Sequence, residues 1–125
     1  MHKRSRNFLE SAGFAISGMI YSWRTQRNIR IHSFFAVGVL FLALLLSVSR
    51  TELAILILAI MMVLTLELVN TSLEAIVNMV TEEYLPLAKI AKDVAAGAVM
   101  IASLGAVLVG LLIFGPRIYL IINYH

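Results

Sequence analysis

The chain has 125 residues, of which 61% are apolar and 14% charged, and it contains no cysteine. The length fits one domain, the apolar excess makes lipid rather than water the solvent, and the missing thiols exclude disulfides, thiolate metal sites and a cysteine nucleophile. A net charge of +3 calls for no nucleic acid, because anionic cytoplasmic lipid is the nearer partner.

The chain opens on the basic run Met1 to Arg6, which has the look of a signal-peptide n-region. Glu10, Ser11 and Ser17 then interrupt what would be its apolar core, so the segment is expected to be retained. From about residue 6 to 26, Phe8, Ala12, Ile16, Met19 and Trp23 recur at helical spacing, with Arg6, Glu10 and Ser17 mostly on other faces. This predicts an amphipathic helix lying on the cytoplasmic leaflet, with Trp23 at headgroup depth. Such a helix is either a passive anchor or the gate through which a lipid headgroup reaches a site, in which case Trp23 touches substrate.

Three apolar stretches follow, giving transmembrane helices at about 30–48, 53–80 and 87–115; each meets the roughly 20 residues a hydrocarbon core demands. Arg50, Thr51 and Glu52 form the break between the first two, and Tyr84-Leu85-Pro86 closes the loop before the third. Lys3, Arg4, Arg6, Arg24, Arg27 and Arg30 precede the first span and Lys89 and Lys92 the third, whereas the other side carries Arg50 and Arg117. The positive-inside rule puts the N-terminus in the cytoplasm and the C-terminus outside a bacterial-type cell membrane. The fold class is all-α.

The second span carries the chemistry. It is apolar to Leu66, and then Glu67, Asn70, Thr71, Glu74 and Asn78 appear without a break in the helical pattern. At about 100° per residue, positions 67, 70, 74 and 78 share an arc of roughly 80°. Carboxylates at membrane depth are costly, so the stripe should face a cavity, a cation or another polar group. Glu74, nearer the cytoplasm, is placed for a hard divalent ion such as Mg²⁺. Glu67, about 10 Å deeper, could take a proton from an alcohol presented by the bilayer, with Asn70 between them. The following loop and helix start supply Glu82, Glu83, Lys89, Lys92 and Asp93, a set able to neutralise phosphates. No glycine-rich phosphate loop of either common pattern occurs. Ala88, Ala91, Ala95, Ala98 and Ala102 suit close helix packing. His32 reads as an interfacial hydrogen-bonder, since no second histidine stands at ligand spacing.

The run Glu67-Leu-Val-Asn70-Thr-Ser-Leu-Glu74-Ala-Ile-Val-Asn78, with Glu83-Tyr84 and Ala88-Lys-Ile-Ala-Lys92-Asp93-Val-Ala-Ala-Gly-Ala98, resembles the prokaryotic diacylglycerol kinase and undecaprenol kinase family. The resemblance extends over nearly the whole chain. It implies a homotrimer with sites shared between neighbouring subunits, and ATP and Mg²⁺ as cosubstrates. It further implies Glu67 as catalytic base, Asn70 as positioning residue, Glu74 as metal ligand, and Glu83, Tyr84, Lys92 and Asp93 at nucleotide-binding positions. Two positions depart from relatives: Gln26 stands where some have a metal-holding glutamate, and Asn78 where relatives have aspartate. Glu82 or Glu83, water or an ATP oxygen would then complete the metal shell. The Arg27-Asn-Ile-Arg-Ile-His32 and AKDVAAGAV runs resemble the undecaprenol branch more than the diacylglycerol branch. From the residues alone, an ion-coupled transporter and a non-catalytic scaffold remain alternatives to a kinase.

Overall fold

The computed structural model describes residues 7–125 and is all-helical there: α1 Phe8–Thr25, α2 Arg27–Leu45, α3 Arg50–Val80 and α4 Pro86–Asn123. The basic residues Lys3, Arg4 and Arg6, the last of them the first position expected of the interfacial helix, lie outside the described residues. Helices α2, α3 and α4 are each long and apolar enough to cross a membrane.

Local chemistry sets each boundary. Asn7 accepts the Glu10 backbone N–H at 2.9 Å and starts α1. A single extended residue, Gln26, separates α1 from α2. The elbow is braced by Arg30, whose guanidinium donates to the carbonyls of Trp23 at 2.6 Å and Arg24 at 3.3 Å, satisfying acceptors left open at the end of α1. Across it the Trp23 and Phe34 rings meet at 6.0 Å.

The turn between α2 and α3 differs from the sequence expectation. It runs through Leu46, Ser47, Val48 and Ser49, and Arg50, Thr51 and Glu52 already belong to α3. The reason is capping. Ser49 Oγ accepts the Glu52 N–H at 3.1 Å while Glu52 accepts the Ser49 N–H at 3.0 Å, a reciprocal box that begins the helix one turn early. On the other side α2 closes by a Schellman pattern, with Val48 N–H on the Ala43 carbonyl and Ser47 N–H on the Leu44 carbonyl. The pattern demands a left-handed residue, and Ser47 takes it at φ 51°.

Helix α4 also runs past its expected end at 115. Pro116 sits inside it and removes the hydrogen bond to the Leu112 carbonyl without ending the helix. Arg117 secures the next turn by donating to the Ile113 carbonyl at 2.9 Å and by a two-pronged pair with Glu52, both N–O distances being 2.7 Å. At the other end Lys92 donates to Asn78 Oδ1 at 2.8 Å. The antiparallel hairpin of α3 and α4 is thus pinned near both ends.

A small core of Ala43, Leu56, Ile113 and Phe114 lies at the α2–α3 turn end. From it the buried stripe of α3 continues through Val63 into Glu67, Asn70 and Thr71, and that of α4 through Val99 and Ala95. The alanine stripe of α4 packs inward at Ala88, Ala95, Ala98 and Ala102, whereas Ala91 is exposed. Much apolar surface, including Phe34, Phe35, Leu44, Leu58 and Leu112, faces outward, where lipid or a neighbouring subunit would cover it.

Candidate active site

Helix α3 has 31 residues, about 46 Å at 1.5 Å per residue, against a hydrocarbon core of about 30 Å. A helix of that length can extend past the apolar layer, and Glu74 and Asn78 lie in its last two turns, with Glu67 about two turns before Glu74. Burial follows this order. Glu67 is 2% exposed, Asn70 8% and Thr71 5%, Glu74 is half-buried and Asn78 is exposed.

Within the stripe, Thr71 Oγ1 donates to the Glu67 carbonyl at 2.9 Å, which occupies the hydroxyl locally. Asn70 Nδ2 donates to Glu74 Oε1 at 3.4 Å, and Asn70 Oδ1 is buried without a partner. The carboxylate of Glu67 is met from α2, where His32 Nε2 lies 3.3 Å from Glu67 Oε1. Sequence reasoning left His32 out of the site because nothing in one strand of text pairs position 32 with position 67. The signal available was its depth: a histidine one turn into a span needs a polar partner.

The loop between α3 and α4 forms a second cluster around a cavity of about 340 Å³ lined by Asn78, Thr81, Glu82, Glu83, Tyr84, Lys89, Lys92 and Asp93. Glu83 and Tyr84 are exposed, and the Glu83 backbone N–H is held by Thr81 Oγ1 at 3.0 Å. Lys89 pairs with Asp93 one turn on. The Lys92–Asn78 bond joins this cluster to the acidic stripe, so the structure brings Asn78, Glu83, Tyr84, Lys92 and Asp93 to one edge of the stripe. Gln26 and Trp23 stand elsewhere, at the α1–α2 elbow, Gln26 partly buried and Trp23 43% exposed. A further cavity of about 480 Å³ lies between α1 and α3, bounded by Gly18, Met19 and Ser22 on one side and Leu68, Thr71 and Ala75 on the other.

Among the described residues no group of three acidic or histidine side chains gathers as a metal site. What the stripe does offer is one carboxylate, Glu74, beside the unpartnered amide oxygen of Asn70. That donor set fits Mg²⁺, which keeps most of its shell as water and phosphate oxygens and takes one or two protein ligands. It fits zinc poorly.

A three-span helical membrane protein with a buried and a half-buried carboxylate on one face of a helix and a lysine-bearing polar cavity at the same end is suited to chemistry at the membrane surface. Residues 13–114 match the prokaryotic diacylglycerol kinase family. A diacylglycerol kinase of Synechocystis sp. is 48% identical over 105 residues, 83% of this chain and 60% of that longer protein. An undecaprenol kinase of Bacillus subtilis is 39% identical over 118 residues, 94% of this chain and 96% of the relative. A diacylglycerol kinase of Escherichia coli K12 is 29% identical over 100 residues, 80% of this chain and 82% of the relative. The chain belongs to the prokaryotic diacylglycerol kinase family, a family of membrane lipid kinases, and kinase chemistry draws its phosphoryl group from ATP.

Proposed function

We propose that this chain transfers the γ-phosphoryl group of ATP to the hydroxyl of a membrane lipid alcohol, with undecaprenol the preferred acceptor and undecaprenyl phosphate the product. The observation that carries the reading is the stripe itself. A carboxylate 2% exposed within the span lies about two turns from a half-buried one nearer the end of the helix. This spacing lets a lipid hydroxyl and a water-soluble nucleotide approach one helix from opposite phases. The lysine-bearing cavity beside it suits a phosphate-bearing cosubstrate, and with the family match it favours a kinase over a transporter or scaffold.

Glu67 is the base, taking the proton as the acceptor O–H bond breaks. The acceptor oxygen bonds to the γ-phosphorus, the bond from that phosphorus to the ADP oxygen breaks, and ADP leaves with the electron pair. Asn70 orients Glu74, and Glu83, Tyr84, Lys92 and Asp93 hold the nucleotide, Lys92 offsetting phosphate charge. When bound, Mg²⁺ would be held by Glu74 with the Asn70 amide oxygen beside it, and would neutralise phosphate charge. The protein's contribution is mostly alignment and charge complementarity in a site half removed from water. The cavity between α1 and α3, bounded by Ser22 and Thr71, is the route by which the lipid headgroup reaches the stripe.

Undecaprenol is favoured by the near full-length match to the Bacillus subtilis enzyme, and by the RNIRIH and AKDVAAGAV runs. Diacylglycerol is the second reading, favoured by the higher identity to the Synechocystis protein. The working form is a homotrimer whose neighbouring subunits complete each site, consistent with the exposed apolar faces of α2, α3 and α4.

The test is transfer of labelled γ-phosphate from Mg-ATP to undecaprenol and diacylglycerol offered together in mixed micelles. Molar mass by light scattering reads the assembly in the same preparation. Label should appear first in undecaprenyl phosphate, and Glu67→Gln should lower turnover about 10²–10⁴-fold while ATP still binds. First consumption of diacylglycerol would reverse the substrate assignment, and equal loss of ATP binding would remove Glu67 from the role of base.

A further inference from the structure

His32 reaches the site from α2, a helix that contributes nothing else to the chemistry above. Its Nε2 lies 3.3 Å from Glu67 Oε1, and the two side chains are 27% and 3% accessible. The neighbours of Glu67 on α3 are otherwise engaged. Thr71 donates to a backbone carbonyl and the Asn70 amide group to Glu74. Among the described residues, His32 is the polar side chain that touches the Glu67 carboxylate.

A glutamate has three rotatable side-chain bonds, and a buried base must present one oxygen to a hydroxyl whose position the bilayer dictates. Misplacement by about 1 Å can cost on the order of 10²-fold in rate. The surroundings strengthen a restraint from His32. Its ring forms part of the wall of a cavity of about 380 Å³ between α2, α3 and α4 whose other lining is apolar except for Ser103. In such low-polarity surroundings an imidazole–carboxylate contact is electrostatically stronger than in water.

Resting on the lipid kinase reading, we propose that His32 is a positioning residue for Glu67. Its Nε2–H holds Oε1 and leaves Oε2 to face the acceptor hydroxyl. A neutral imidazole protonated at Nε2 suffices, because it donates a hydrogen bond without taking the charge that makes Glu67 a base. The contact also joins α2 to α3, so the position of the base depends on how these two helices settle against each other.

The test compares wild-type chain with His32→Leu, His32→Gln, Glu67→Gln and the double variant His32→Leu/Glu67→Gln in the phosphotransfer assay. His32→Leu should lower kcat about 10²-fold with KM for ATP unchanged. His32→Gln, which restores an N–H donor, should recover about tenfold or more of that loss by the same positioning argument. In the Glu67→Gln background, His32→Leu should cost nothing further. Wild-type kcat in His32→Leu, equal losses in the Leu and Gln variants, or additive losses in the double variant would each overturn the role. Ring ¹⁵N NMR of His32 reads the contact without activity: Glu67→Gln should shift the Nε2 resonance, and an unmoved resonance would overturn the contact even if His32→Leu failed to fold. A wild-type chain that labels no lipid alcohol would instead overturn the kinase reading, and this role with it.

Discussion

Asn78 and Lys92 form a neutral–cationic pair at 2.8 Å where the acidic stripe meets the loop cavity. An amide accepts a hydrogen bond from Lys92 without cancelling its charge, so the ammonium is left able to meet phosphate. Asn78→Asp would pair that charge. The expected outcome is a KM for ATP raised several-fold with folding unchanged, whereas Lys92→Met should raise KM and lower kcat together. Steady-state kinetics against ATP at saturating lipid separate the two. Glu67, Asn70 and Glu74 were legible in the text because helical spacing alone puts them on one face. His32 was not, because its partnership with Glu67 depends on how α2 packs against α3.

Among the elements, the α2–α3 turn shows how local chemistry outranks a reading of charge. Three polar residues in a row looked like the turn, yet the Ser49–Glu52 capping box draws Arg50, Thr51 and Glu52 into α3. Ser47 takes the left-handed position that glycine occupies without penalty. Ser47→Gly should therefore stabilise the protein, by about 0.5–1 kcal/mol once the added freedom of the unfolded chain is deducted. Thermal unfolding in detergent followed by circular dichroism reads this as a raised midpoint, and a lowered midpoint would mean the Ser47 side chain has a role beyond the turn. Helix α4 carries the complementary lesson. The expected end at about 115 is overrun, and the helix continues through Pro116 because the following Arg117 holds the Ile113 carbonyl and Glu52 at once.

That same pair closes the far end of the α3–α4 hairpin, which makes it a test of the whole molecule. Arg117→Leu and Glu52→Gln should each lower the unfolding midpoint. The double variant should lose less than the sum, since each single change strands the other's charge or donors. Strict additivity would mean the pair contributes nothing as a pair. Sidedness belongs to this scale too. The chain has no cysteine, so Thr81→Cys and Asn123→Cys can each be labelled with an impermeant maleimide in intact cells and in inverted vesicles. Labelling of position 123 in cells and of position 81 in inverted vesicles is the expected result, and the reverse pattern would place the site outside.

What the sequence determined by itself was class and placement. Apolar runs of sufficient length demand helices across a bilayer, because every backbone polar group in hydrocarbon must be satisfied within the chain. Helical periodicity likewise puts Glu67, Asn70 and Glu74 on one face, and the run they form, with residues 83–98, carries a resemblance to the family that the match over residues 13–114 shows. What only the tertiary structure decided was which groups meet across helices: His32 with Glu67, Lys92 with Asn78, Arg117 with Glu52. These pairs join residues 35, 14 and 65 positions apart. No local propensity encodes such distances, because they depend on the rotation and depth at which packed helices settle, and those are chosen by the sum of many weak apolar contacts along α2, α3 and α4.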